Sequence, residues 1–133
     1  MSGALPSDDA IREHAYLVAR GVRPMALVQT FAADPMTCLR IATRLEAIGV
    51  ETGLPIVPFV VENGDGSADC GYAAAGWVVD LLRWASSNDV PKVQRLRVVG
   101  LLLGYSADAI AIFEERAPRR FFTTPAAAGE STP

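Results

Sequence analysis

Along the first fifty residues, apolar positions recur at helical spacing between polar punctuation marks, and this divides the stretch into three predicted helices. Ser7 precedes Asp8 and Asp9, a capping hydroxyl followed by acids where the helix dipole is positive. Ile11, Ala15 and Val18 then make one apolar stripe as far as Gly21, so the pattern predicts a helix over Asp8–Arg20. Pro24 suits a first helical turn, and Met25, Leu27, Val28 and Phe31 supply a short apolar face; a second helix is expected over Pro24–Ala33. Asp34 and Pro35 open a third, Pro35–Ile48, with Leu39, Ile41, Ala42, Leu45 and Ile48 at helical spacing before Gly49.

The pattern then changes. Pro55 and Pro58 forbid a helix, while Ile56, Val57, Phe59, Val60 and Val61 favour an extended chain at the edge of a sheet. Asn63-Gly64-Asp65-Gly66 is a turn signal, because Asn and Gly tolerate positive φ. The return strand, Ser67–Tyr72, is weak in β-formers, so both a hairpin and a single extended segment fit residues 55–72. From Ala73 to Ala85 only Asp80 and Arg83 are charged, and Trp77, Val78, Leu81, Leu82 and Trp84 surround them, which predicts a nearly enclosed helix. Pro91 starts a further helix, basic through Lys92, Arg95 and Arg97 and then apolar over Val98–Leu103. Gly104 and Ser106 separate it from a last helix carrying Asp108, Ile110, Ile112 and Phe113, which Pro118 stops.

The expected fold is therefore mainly α: a small helical domain of about six helices with one inserted extended segment or β-hairpin near residues 55–72. Residues 1–120 form the single domain. Residues 121–133, rich in Ala, Thr, Pro and Gly, are expected to be a flexible tail.

A length of 133 residues, half of them hydrophobic, suits one domain with a sizeable core. The mean hydropathy of +0.24 is high for so small a chain. Leftover apolar surface is expected, and a second copy is the ordinary way to cover it. A net charge of −3 opposes non-specific attraction to phosphate backbones and anionic lipid. The least polar windows, Gly71–Leu82 and Val98–Phe113, are shorter than the ~20 residues of a membrane-spanning helix. With no basic-then-apolar segment over Met1–Pro6, the expected location is the cytoplasm. Cys38 and Cys70, the only cysteines, lack metal or redox spacing and fit a reducing compartment.

Candidate chemistry is sparse. Glu62, Asp65 and Asp69 gather oxygen ligands in one loop, but without the spacing of a calcium loop, so no metal is expected. His14 is the one histidine, with nothing in the sequence to place a nucleophile beside it, so neither a catalytic site nor a cofactor is expected.

Three functional readings remain. The first is a non-enzymatic association module, a homodimer or adaptor subunit, whose interface anchors are Trp77, Leu81, Trp84, Leu102, Tyr105 and Phe113, since large apolar side chains dominate buried interfaces. The second is a winged-helix-like DNA-binding regulator: helix 35–48 would read bases through Thr37, Arg40, Thr43 and Arg44, with the 63–66 turn as its wing. Acidic residues around that turn and the net negative charge oppose it, so nucleic acid is the less favoured partner. The third is a small-molecule pocket around Asp80 and Arg83, a polar spot between tryptophans.

Overall fold

Residues 25–32 are a strand, not a helix, and this one difference recasts the architecture. The computed structural model describes residues 5–87 and 89–104. Within them the order is α1 (Asp8–Ala19), β1 (Met25–Ala32), α2 (Pro35–Thr52), β2 (Val57–Glu62), β3 (Ser67–Ala73), α3 (Gly76–Ala85) and α4 (Lys92–Leu102). The expectation of a mainly α domain of about six helices is thus corrected: four helices accompany a three-stranded antiparallel sheet in an α/β fold. The helix expected around Asp108 and the 121–133 tail lie outside the described residues.

The sheet runs β1-β3-β2, so the last strand in sequence lies between the other two. Residues 55–72 make a hairpin, with Val57 opposite Ala73 and Glu62 opposite Ala68. Gly64 and Gly66 take the positive φ values, 82° and 90°, that its turn needs. Pro58 is tolerable because, among the described residues, no strand pairs with the outer edge of β2, towards which a missing N–H costs nothing. The central strand has the poorest β-formers of the three, Ser67-Ala-Asp-Cys-Gly-Tyr-Ala73. Its position is set by what covers it, not by propensity.

Helices pack on both faces. On one, Ile11, Ala15 and Val18 of α1 and Ile41, Leu45 and Ile48 of α2 meet Phe31, Cys70 and Tyr72. On the other, Val78 and Leu82 of α3 and Leu102 of α4 meet Met25, Phe59 and Val61. Burying each of the larger side chains stabilises the fold by roughly 1.5–3 kcal/mol.

This double cover explains why β1 reads as helical. Met25 faces one layer and Val28 and Phe31 the other, so no in-out alternation survives. A bulge between Leu27 and Gln29 shifts the register and turns a period of two into an apparent period of three.

The helix ends follow their caps. Ser7 Oγ accepts from the Ala10 N–H at 3.2 Å, and Asp34 Oδ1 from the Thr37 N–H at 3.0 Å. Between layers, the buried Tyr72 hydroxyl donates to the Leu45 carbonyl at 2.7 Å and ties β3 to α2.

Candidate interaction surfaces

Helix α3 buries Val78, Val79, Leu82 and Ala85 against the sheet. The opposite side then carries Trp77, Asp80, Leu81 and Trp84, residues three, four and seven apart on one helical face. Trp77 is 63% exposed and Trp84 51%, so this helix is not enclosed as its composition suggests. Asp80 and Arg83 form a solvent-facing ion pair at 3.8 Å, with side chains 81% and 60% exposed. No buried charge results. The pair lies on the outer surface and needs no pocket to satisfy it.

Among the other expected anchors, Leu81 is half-buried, and Leu102 is inside the protomer's own core. Its neighbour Leu101 is the α4 leucine that faces out, 55% exposed. Tyr105 and Phe113 lie outside the described residues.

The four residues expected to read DNA all lie on α2 but do not form a free polar surface. Arg44 is bound to Asp8 of α1, its Nε donating at 3.1 Å, and this hydrogen bond holds the Asp8 carboxyl below its ordinary range. The Thr43 hydroxyl donates back to the Leu39 carbonyl at 2.8 Å. Thr37 is half-buried, and its Oγ1 accepts from Arg40 at 3.4 Å. Because β1 replaces the expected second helix, the helix-turn-helix that would support such a reader is not formed.

The outward side of α2 holds something else. Met36, Leu39 and Val50 are 71%, 62% and 75% exposed. Leu39, expected on the inner stripe, is therefore outward, and Met36 and Val50 share its side of the helix. The spacing 36, 39, 43, 50 is the signal that marks them, since it follows the seam of two packed helices.

Elsewhere the chemistry is muted. Burial pushes the Cys70 thiol up to about 12 and raises Cys38 as well, so neither favours the thiolate that a nucleophile requires. Among the described residues no group of three His, Cys, Asp or Glu side chains could hold a metal ion. In the hairpin turn, Asp65 accepts from the Ser67 N–H and hydroxyl at 2.9 and 2.6 Å, which occupies it as a turn residue. No described helix is long and apolar enough to cross a membrane.

Comparison with protein-family models, with characterised proteins and with solved structures returns no match. The functional reading therefore rests on the exposed surface.

Proposed function

We propose that this protein works by association: the outer face of α3 docks a partner protein, and the chain acts as an adaptor subunit in the cytoplasm. What supports the reading is the exposure of Trp77 and Trp84 on one helical face, with Leu81 between them. An indole left in water is a large unrealised contribution to binding, and tryptophan is enriched among residues that dominate interfaces. Asp80 and Arg83 edge the patch with both charges, the polar rim such surfaces carry. The two free cysteines suit a reducing compartment.

Trp77 and Trp84 are the only tryptophans in the chain, so indole emission reports this face and nothing else. The isolated protein should show red-shifted emission that acrylamide quenches readily. A captured partner should shift it to the blue, and Trp77→Ala/Trp84→Ala should weaken capture at least thirtyfold, about 2 kcal/mol. Partner capture equal in wild type and the double variant, or no partner at all, would contradict the proposal.

A further inference from the structure

The hairpin turn carries the one asparagine of this chain that precedes a glycine, Asn63-Gly64. Such a pair reacts without an enzyme: the Gly64 backbone nitrogen attacks the Asn63 side-chain carbonyl carbon, and glycine has no Cβ to hinder the approach. The new N–C bond closes a succinimide ring as the bond from Cγ to Nδ2 breaks, and ammonia leaves with the proton of the Gly64 N–H. Water then opens the ring at either carbonyl, giving aspartate or isoaspartate. Only water is consumed.

The fold holds this amide in a fixed orientation. Asn63 Nδ2 donates to Ser67 Oγ at 3.0 Å, and Ser67 Oγ donates to Asp65 Oδ1 at 2.6 Å. A carboxylate only accepts, so the hydroxyl hydrogen is committed to Asp65 and the hydroxyl oxygen accepts from Asn63. This sets Nδ2 towards Ser67 and Oδ1 away from it. Asn63 is 6% exposed, and its Oδ1 is enclosed with no hydrogen-bond partner among the described residues. By strand alternation it follows Phe59 and Val61 on the side of the sheet that α3 and α4 cover.

These features oppose the reaction. The oxygen that takes up negative charge as the ring closes has no donor to stabilise it. The leaving nitrogen is tied to Ser67, and the backbone is tied as well, the Asn63 N–H donating to the Ser67 carbonyl at 2.9 Å. Ring closure therefore waits for the turn to open.

We propose that Asn63-Gly64 is a self-modification site gated by Ser67: the chain of hydrogen bonds from Asn63 through Ser67 to Asp65 keeps the amide intact while the hairpin is closed, and opening of the turn releases it to deamidate. Refolding does not reverse the change. Aspartate at position 63 puts an acceptor where Nδ2 donated, against a hydroxyl whose hydrogen is already given to Asp65, and it buries a charge. Isoaspartate lengthens the main chain by a methylene at the turn. Both products act on the pairing of β2 with β3, the strand that joins the whole sheet. An opening of the turn is thus recorded as a lasting loss of stability. The site uses none of the α3 face and does not depend on the docking role proposed for it.

Incubation of the full chain at mildly alkaline pH, with the mass of the peptide holding residue 63 followed over time, tests the gate. The mass gain of amide becoming acid should appear at least about tenfold more slowly in the folded protein than in the same chain unfolded in guanidinium chloride. Ser67→Ala should bring the folded rate most of the way to the unfolded one, whereas Ser67→Thr, which keeps the hydroxyl, should retain the slow rate. Circular dichroism shows that each variant is folded; if Ser67→Ala is not, Asp65→Ala breaks the same chain of bonds from its other end and takes its place. Asn63→Asp, the product made directly, should lower the denaturant midpoint. Equal rates in folded and unfolded protein overturn the proposal, as does a folded Ser67→Ala or Asp65→Ala that deamidates as slowly as wild type. An Asn63→Asp protein as stable as wild type overturns the loss of stability inferred from the modification.

Discussion

Gly71 is the position at which this fold leaves the least room. It lies in the middle of the central strand, opposite Leu27 on one side and Phe59 on the other. The bulge next to Leu27 presses β1 so close that a Cβ at Gly71 would sit 1.9 Å from the Ala26 carbonyl oxygen. Backbone occupies that space and cannot rotate away, so Gly71→Ala forces β1 outward by roughly 1 Å, an overpacking that costs about 1–3 kcal/mol. Loosening one or two ladder hydrogen bonds adds about 1 kcal/mol each. The sum, roughly 2–5 kcal/mol, is a large part of the stability expected for a domain of this size.

Gly49 is the control. It lies inside α2, and a Cβ there would meet Tyr72 Cε1 at 3.5 Å, an ordinary contact. Gly49→Ala should therefore stabilise the protein by about 0.5–1 kcal/mol through helix propensity. Urea unfolding followed by far-ultraviolet circular dichroism measures both. The two substitutions add the same methyl group and should move the midpoint in opposite directions. If Gly71→Ala lies within 0.5 kcal/mol of wild type, the close approach of β1 over β3 is refuted.

Three further outcomes follow from the same packing. Tyr72→Phe removes the hydroxyl that joins β3 to Leu45 but fills the same space, so it should cost about 1 kcal/mol in urea unfolding, with the circular dichroism spectrum unchanged. Stability should fall with acid in two stages: burial lowers His14 below its ordinary 6.5, so the neutral form is the one folding favours and stability declines as pH drops through that range. Asp8, Asp34 and Asp65 are held below 3.8 by hydrogen bonds from Arg44, Thr37 and Ser67, so what they add is present above 3.8 and is lost as pH falls through their folded values. Melting temperature against pH shows both stages, and His14→Gln should abolish only the first. Iodoacetamide at mildly alkaline pH should label Cys38 slowly and Cys70 only after unfolding, because burial raises both thiols and Cys70 is fully enclosed.

The sequence shows α1 and α2 clearly because their caps and stripes are local signals: Ser7 and Asp34 accept the bonds that their positions suggest. Strand β1 is illegible for a physical reason. A strand covered on both faces has no alternation to display, and the bulge at Val28 supplies a false helical period in its place. For β3 the turn that precedes it is the signal, since its small residues are there to admit helices on both sides. Composition alone gives Trp77 and Trp84 as candidate anchors but places them in an enclosed helix. Their exposure follows from the sheet, which takes Val78, Val79 and Leu82 and leaves the tryptophan side outward. The outward side of α2 is hard to see in the sequence because Leu39 also falls near the spacing of Ile41 and Leu45, which conceals its relation to Met36 and Val50.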